Sequence, residues 1–386
     1  MPQPVFTDRD VVFGSGTITQ AGQVASSLGA RRILLVRGKN SFAASGADAC
    51  LPGLNAAAEV REWSDYHPNI YLPDVLSGLR TVEEFRPDTI VAVGGGSAMD
   101  IAKLLAVFKG KTEEGELAEA VKAGVERTER HLNLVLAPTT SGSGSEATRF
   151  ALTYIGDDKF SVRGPGLLPD RVIVDPDLTL SASRYQRATS GIDALAQAIE
   201  GIWAVKTNER ARAYGHDALK ILIETLPAFA NGPTEANARD MALGSHLAGR
   251  SIDISLTTAS HALSYGITGF YGPSHGHAVA LTLGAFLERH ATAEADQLQE
   301  GLDLSLHRQG MDLVLSAFGT DDPAEARATW SRVMDSIGLE TSLGAVGADT
   351  REKRYALAAG ANPVRLGNNP LLLDKEIIAD VLESVA

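Results

Sequence analysis

The sequence has 386 residues, 44% of them hydrophobic and 22% charged, which is ordinary for a globular protein with room for two domains. Its formal net charge of −13 argues against general nucleic-acid binding, because that function needs a basic surface. The single cysteine, Cys50, excludes a disulfide framework and a cysteine-rich zinc site. We find neither a signal peptide nor an apolar run of about 20 residues, so we expect a cytoplasmic protein that does not interact with membranes.

Strand and helix signals alternate through the first half of the chain. The clearest unit is 88–108, where an apolar strand rich in β-branched residues leads through three glycines into a helix. The charged stretch 110–131 is expected to be a solvated loop that contains a helix. Such alternation implies a mostly parallel sheet covered by helices. The other strand and helix signals of this half lie at 11–16, 18–28, 31–36, 57–63, 72–85, 133–148 and 171–181.

The pattern changes after Ser183, beyond which we find helical periodicity and almost no strand signal. We therefore predict an α/β domain with a parallel, Rossmann-like sheet over 1–183 and an all-α domain over 184–386. The helices expected in the second domain are 184–205, 208–229, 235–264, 275–292, 296–317, 323–337, 350–360 and 374–385.

Two loops of the first domain have the composition of ligand-binding loops. The glycine-rich loop follows an apolar strand and opens a helix, so its backbone N–H groups could approach a pyrophosphate, although a tight turn has the same pattern. Asp100, one turn into that helix, suits ribose, phosphate or simple capping. The second loop crowds hydroxyl side chains among glycines after another strand, a position that favours a ligand. The residues of interest are Gly94, Gly95, Gly96, Ser97, Thr139, Thr140 and Ser143.

A possible metal site lies in the second half. His261 and His275 are separated by a Gly/Pro-rich turn, so a helix, a reversal and a second helix can bring two imidazoles to one point. Upstream, Asp193 and Gln197 are spaced i, i+4 and share one helix face. Together the four side chains would make a site of nitrogen and oxygen ligands. Core histidines and a helix-capping aspartate are the competing interpretation.

These segments resemble the iron-containing (group III) metal-dependent alcohol dehydrogenases, in the right order and over nearly the whole chain. The matching segments are GGGSAMDIAK, PTTSGSGSEAT, DPDLTLS and SGIDALAQAIE, followed by His261 and His275. The resemblance implies the dehydroquinate synthase-like fold of that family, with a dinucleotide-binding N-terminal domain and a helical, metal- and substrate-binding C-terminal domain. It also implies NAD(P)-linked reduction of an aldehyde or ketone, with Asp193, Gln197, His261 and His275 as ligands of Fe²⁺ or Zn²⁺.

Two positions depart from the family pattern. The usual member has histidine where this chain has Gln197, and an amide oxygen is a weaker, neutral ligand than imidazole. The family often carries another histidine where this chain has Tyr265. His277, two residues after His275, is a candidate for the missing proton carrier, because an unperturbed imidazole titrates near neutral pH. Tyr265 and His277 are therefore our candidate catalytic residues.

The loop after the second strand bears on the cofactor. NAD-preferring relatives commonly have an acidic residue there, which accepts a hydrogen bond from the ribose 2′-hydroxyl. This chain has no carboxylate in the loop, and small residues and cations suit a 2′-phosphate. We expect NADPH, with NADH as the alternative. The loop residues concerned are Gly38, Lys39, Asn40 and Ser41.

Local segments around these motifs are similar to the phosphonoacetaldehyde-reducing branch of the family. An arginine suits a phosphonate because it binds bidentately, and Arg250 and Arg365 are the candidates. On one unbroken helix Arg250 and His261 would be roughly 16 Å apart, so Arg250 can contact a small substrate only if the helix breaks between them. A homodimer is expected. A lyase on the same fold and a non-catalytic binding protein with a decayed metal site are the alternatives.

Overall fold

A computed structural model describes residues 11–156, 158–361 and 366–386. The described residues form two compact units. One comprises the chain up to Thr140 together with Gly144–Ala182, and the other comprises Ser141–Ser143 together with the chain from Ser183 onward. Among the described helices, none combines the length and the apolar character that crossing a membrane requires.

The first unit is built on a six-stranded sheet in the order β1-β8-β5-β4-β2-β3, and every neighbouring pair in it is parallel. The central strand β4 is buried along its whole length, as its apolar, β-branched sequence predicts. The parallel α/β architecture expected from the sequence is therefore confirmed. The strands are β1 (Val11–Phe13), β2 (Arg32–Arg37), β3 (Glu59–Trp63), β4 (Thr89–Gly94), β5 (Asn133–Pro138), β6 (Phe150–Ile155), β7 (Asp158–Arg163) and β8 (Arg171–Val174).

Alternate residues of the sheet enter two apolar cores. Ile90 and Ala92 of β4 belong to one buried cluster, whereas Val91 and Val93 belong to the other. This period of two is what a strand covered on both faces requires. The helices of this unit are α1 (Ala21–Ser27), α2 (Ser41–Ala44), α3 (Leu51–Ala57), α4 (Leu72–Phe85), α5 (Gly96–Phe108) and α6 (Glu114–Lys122).

An antiparallel hairpin, β6–β7, was not expected from the sequence. Only three of the twelve residues in its strands are buried. Lys103 of α5 is fully buried and donates hydrogen bonds to the carbonyl oxygens of Thr148 and Phe150, at 2.9 Å each. The buried side chain of Lys103 thus attaches the hairpin to α5, and this contact joins residues that are distant in sequence.

The second unit is helical, as expected. The prediction of one helix over 235–264 is wrong, because α9 ends at Ser255 and α10 begins at Ala259, with Leu256 between them at a φ of 61°. The helix expected at 296–317 begins only at Leu304. The helices are α7 (Arg184–Trp203), α8 (Glu209–Asn231), α9 (Glu235–Ser255), α10 (Ala259–Tyr271), α11 (His275–Ala291), α12 (Leu304–Ala317), α13 (Pro323–Ile337), α14 (Arg351–Ala359) and α15 (Lys375–Glu383).

Candidate active site

Three helices of the second unit bring the predicted metal ligands together. Asp193, His261 and His275 each offer one ligand atom, and these atoms lie within 4.8 Å of one another. Gly272 closes α10 in the left-handed conformation, at a φ of 83°, and reverses the chain into α11. Gly276 then lets α11 pack directly on α7, because a Cβ atom there would lie 2.0 Å from the Thr189 carbonyl oxygen.

Gln197 is oriented by two acceptors. Its Nε2 lies 3.0 Å from Oδ2 of Asp193 and 3.5 Å from the carbonyl oxygen of Ser143. Both of those atoms can only accept, so the amide nitrogen must face them. The other amide atom, Oε1, is buried and has no hydrogen-bond partner among the described residues. A buried oxygen that accepts no hydrogen bond is explained if it binds a cation.

His261 is held by Glu200, a residue that the sequence analysis did not select. Glu200 is fully buried on α7 and lies 2.5 Å from Nδ1 of His261. It also accepts 3.0 Å hydrogen bonds from the backbone N–H groups of Thr258 and Ser260. Burial alone would raise the pKa of Glu200, but His261 and the hydrogen bonds from Thr258 lower it. Glu200 is therefore an ionised acceptor, which leaves Nε2 of His261 to face Asp193 at 3.3 Å.

The charge on His261 follows from its neighbours. Burial alone would lower its pKa, but the carboxylates of Glu200 and Asp193 outweigh burial and raise that pKa to about 9. A cation ligated by Nε2 must therefore displace a proton from the ring. Glu200 could have been found from sequence, because it follows Asp193 by seven residues and Gln197 by three and so shares their helix face.

His275 is the most exposed of the three ligands predicted around Asp193, with 38% of its side chain accessible. Its ring stacks on that of Tyr265, with centroids 5.8 Å apart and planes at 14°. Its Nε2 lies 3.9 Å from Oδ1 of Asp193, and its Nδ1 lies 3.1 Å from Oγ of Ser264.

The donor set fits a divalent first-row cation. It combines one carboxylate and two imidazoles, and Gln197, whose amide nitrogen contacts Asp193, offers an amide oxygen that has no hydrogen-bond partner among the described residues. One predicted ligand also has a partner that orients it, because Glu200 contacts Nδ1 of His261. Ligation by all four residues stays a prediction.

The other residues of the second unit that the sequence predicts to act in catalysis or substrate binding have contacts that do not establish those roles. His277 is buried, and its Nε2 lies 2.8 Å from the carbonyl oxygen of Glu340. The helix break that Arg250 required is present, and its buried guanidinium lies over the Tyr214 ring at 4.6 Å. Arg365 lies outside the described residues. The catalytic roles of Tyr265 and His277 and the substrate roles of both arginines stay predictions.

Three loops of the first unit meet at the carboxyl ends of the parallel strands. A Cβ atom on Gly94 would lie 3.7 Å from the backbone nitrogen of Gly38, and one on Gly95 would lie 3.7 Å from Thr140. The backbone of Thr139 donates to the Gly94 carbonyl oxygen at 2.9 Å. Gly95, the N-cap of α5, provides no side-chain cap, so the first N–H groups of a 13-residue helix stay available for an anion. The arrangement fits a dinucleotide pyrophosphate.

Other residues predicted to bind the cofactor make local contacts. Asp100 accepts hydrogen bonds from the Ser145 hydroxyl at 2.5 Å and from the Leu152 backbone at 3.0 Å, and burial raises its pKa. The Ser97 hydroxyl donates to the carbonyl oxygen of Pro68. Lys39 lies 3.4 Å from the exposed Asp65. None of these contacts tests the cofactor roles predicted for Gly96, Asn40, Ser41 and their neighbours, which stay predictions.

Comparison with known proteins decides the family. The model of the family "Iron-containing alcohol dehydrogenase" matches residues 8–176, and that of the "Fe-containing alcohol dehydrogenase family, C-terminal" matches residues 187–386. The chain belongs to the iron-containing alcohol dehydrogenase family. It is therefore an oxidoreductase of the alcohol dehydrogenase and aldehyde reductase type, and the family implies a divalent metal and a nicotinamide dinucleotide. The resemblance found in the sequence is confirmed.

This iron-containing alcohol dehydrogenase is similar to three proteins that act on different small substrates. The phosphonoacetaldehyde reductase of Streptomyces viridochromogenes is 31% identical over 325 residues, covering 82% of this chain and 81% of the relative. The choline dehydrogenase of Bacillus subtilis is 32% identical over 283 residues, covering 71% and 69%. The crystal structure of sulfoacetaldehyde reductase from Bifidobacterium kashiwanohense in complex with NAD⁺ aligns with a TM-score of 0.86 and 26% identity, covering 100% of this chain and 99% of that one.

Proposed function

We propose that the protein reduces phosphonoacetaldehyde to 2-hydroxyethylphosphonate, with NADPH as the hydride donor. One hydride passes from the reduced nicotinamide to the carbonyl carbon, and one proton is added to the oxygen, which yields the alcohol and NADP⁺. The coarser activity, NAD(P)-linked aldehyde reduction, follows from membership of the family.

The observation that supports this substrate assignment is the similarity to phosphonoacetaldehyde reductase over 82% of this chain. The similarity to sulfoacetaldehyde reductase supports the same chemical class. Both substrates are two-carbon aldehydes whose far end is a tetrahedral oxyanion, so the property shared by the two relatives is an anionic group beside the aldehyde. Arg365, which lies outside the described residues, is the arginine that we propose binds this group.

The residues of the second unit support the metal part of the proposal. A divalent cation bound by Asp193, Gln197, His261 and His275 would supply Lewis-acid polarisation of a carbonyl oxygen. Glu200 holds the proton of His261 on Nδ1, which directs Nε2 of that ring toward Asp193. We propose that His277 or Tyr265 moves the proton that the product oxygen gains.

The cofactor preference rests on the loop after β2. Its residues 38–41 contain no carboxylate that could accept from a ribose 2′-hydroxyl or repel a 2′-phosphate. NADH is the competing cofactor, because the structure of sulfoacetaldehyde reductase holds NAD⁺. A homodimer remains the expected assembly.

The test is kcat/KM for four aldehydes, each measured with NADPH and with NADH. Phosphonoacetaldehyde and sulfoacetaldehyde carry an anion, betaine aldehyde carries a cation, and butanal is neutral. A charge-assisted bidentate contact contributes about 1.5–3 kcal/mol, so we expect phosphonoacetaldehyde to exceed butanal by roughly ten- to a hundred-fold. Preference for butanal overturns the anionic substrate, and preference for betaine aldehyde favours the chemistry of the choline dehydrogenase relative instead.

A further inference from the structure

Ser264 lies one turn after His261 on α10 and is fully buried. Its hydroxyl makes two polar contacts. Oγ lies 2.8 Å from the carbonyl oxygen of His261 and 3.1 Å from Nδ1 of His275. One serine therefore touches the backbone of one predicted ligand and the ring of another, and nothing in the sequence motif singles it out.

The Ser264 hydroxyl has one proton, so it can donate only one of these two hydrogen bonds. The carbonyl oxygen of His261 can only accept, so two oxygens 2.8 Å apart must have the serine proton between them. Were that proton given to His275 instead, two acceptor oxygens would face each other inside the protein without a donor. With the proton committed to His261, Oγ can only accept from His275, and Nδ1 of that ring must carry a hydrogen.

We propose that Ser264 is a positioning residue, which keeps the hydrogen of His275 on Nδ1 and so presents the lone pair of Nε2 toward Asp193. The inference rests on the proposed metal set and deepens it. A neutral imidazole has one donor and one acceptor nitrogen, and the partner of the first decides which nitrogen can ligate a cation. Nε2 of His275 lies 3.9 Å from Oδ1 of Asp193, close enough for both atoms to share one cation.

His275 depends on such a partner more than His261 does. Only 5% of the His261 side chain is accessible, whereas 38% of the His275 side chain is accessible. The stacking of Tyr265 on His275, with planes at 14°, restrains the tilt of the ring but does not distinguish its two nitrogens. A ring flip about Cβ–Cγ would preserve that stacking and turn Nδ1 away from Ser264. The serine hydroxyl supplies a directional contact that opposes the flip.

The experiment uses Co²⁺ as the probe, because its visible spectrum reports the ligand geometry. The full-length metal-free protein is titrated with Co²⁺ in competition with a chelator, and the spectrum and the melting temperature are recorded. The Ser264→Ala variant should bind Co²⁺ roughly ten- to a hundred-fold more weakly, with an altered spectrum. Ser264→Thr should restore both, because a threonine hydroxyl on a helix also bonds to the carbonyl oxygen one turn back.

Ser251→Ala is the matched control. Ser251 is also fully buried on a helix, and its hydroxyl donates to a backbone carbonyl oxygen, that of Ala211, at 2.8 Å. This variant should keep the wild-type affinity and spectrum. The inference is overturned if Ser264→Ala behaves as wild type, or if Ser251→Ala weakens Co²⁺ binding equally at an equal loss of melting temperature.

The metal set itself is tested by His275→Ala in the same titration. If wild type binds Co²⁺ and His275→Ala does not, a wild-type result for Ser264→Ala overturns only the role of the serine. If wild-type protein binds no Co²⁺, or if His275→Ala binds it as wild type does, the proposed metal set fails and the positioning role fails with it.

Discussion

Glu200 and His261 are 61 residues apart in the chain, yet the carboxylate lies 2.5 Å from Nδ1 of the imidazole. The carboxylate is also held by the backbone N–H groups of Thr258 and Ser260, which begin the helix that carries His261. Three donors converge on one buried acceptor, so both the ring and the start of α10 are fixed relative to α7. This contact aims Nε2 of His261 at Asp193.

We expect Glu200→Gln to reduce divalent-cation affinity roughly ten- to a hundred-fold. A glutamine has one oxygen and one NH₂ group where the carboxylate has two acceptors, so it must direct a donor at Thr258, Ser260 or His261. Metal retained after dialysis against a chelator measures the loss. The control is Glu288→Gln, which removes a partly exposed carboxylate that pairs with Arg327. Equal retention by both variants contradicts the orienting role of Glu200.

Gln197→His should preserve or raise the content of divalent metal, because imidazole is a stronger ligand than an amide oxygen. His261→Ala should abolish both bound metal and turnover. Elemental analysis of the purified variants, together with their specific activity, makes the comparison. A crystal structure of the metal-bound protein in which Gln197 points away from Asp193 and His275 contradicts Gln197 as a ligand.

Gly38→Asp should move the cofactor preference toward NADH by roughly ten- to a hundred-fold, since a carboxylate accepts from a 2′-hydroxyl and repels a 2′-phosphate. A Cβ atom on Gly38 would lie 2.2 Å from Oγ of Ser41, so the serine side chain must rotate. Ser41→Ala alone serves as the control, and the double variant tests the aspartate without that clash. The loop interpretation is wrong if the unmodified protein uses NADH at least as well as NADPH.

Arg365→Ala should lower kcat/KM for phosphonoacetaldehyde roughly ten- to a hundred-fold and leave butanal unchanged, because only the first substrate carries the anion. Arg332→Ala is the control, since the Arg332 side chain is 60% accessible and pairs with Glu325 on the same helix. An equal loss of kcat/KM on both substrates would show that Arg365 does not bind the anionic group.

Stability should fall as the pH drops below about 6.5, the unfolded pKa of histidine. Burial lowers the pKa of both His290 and His307 in the folded protein. Below that pH the unfolded chain binds protons that the folded protein does not, so each buried histidine costs up to about 1.4 kcal/mol per pH unit. Urea unfolding at several pH values measures the slope.

His307→Gln should flatten that slope and keep the stability near pH 8. Glutamine can still donate to the carbonyl oxygen of His290, which now lies 3.1 Å from Nε2 of His307. The exposed His131, changed to Gln, is the control and should leave the slope unaltered. An unchanged slope in His307→Gln would mean that the pKa of this histidine is the same in the folded and unfolded protein, which contradicts the effect of burial.

The elements that carry the loops predicted to bind the dinucleotide were predictable because local pattern and tertiary environment agree. β4 is apolar and β-branched, and it is buried on both faces, while the helix expected after the three glycines begins at the third of them, Gly96. The hairpin β6–β7 was not expected from the sequence, because few of its residues are buried and it is attached through the buried Lys103, which lies far away in the chain.

The proximity of Asp193, His261 and His275 was predictable from the sequence, and helical spacing also placed Glu200 on the face of Asp193, but the contacts of Glu200 and Ser264 were not predictable. Asp193 and Gln197 share a helix face by spacing, and the turn before His275 is marked by Gly272. The roles of Glu200 and Ser264 depend on contacts that cross 61 and 11 residues of chain. The helix break at Leu256 was also not predictable, because leucine rarely adopts a positive φ and its presence there does not indicate a break.

The central claim is tested most directly by kcat/KM for phosphonoacetaldehyde and for butanal with NADPH, before and after a chelator removes the divalent cation. We predict a preference for phosphonoacetaldehyde of roughly ten- to a hundred-fold in the metal-loaded protein, loss of both activities in the metal-free protein, and recovery when the cation is restored. Full activity without the cation, or a metal-loaded protein that reduces butanal at least as efficiently, would contradict it.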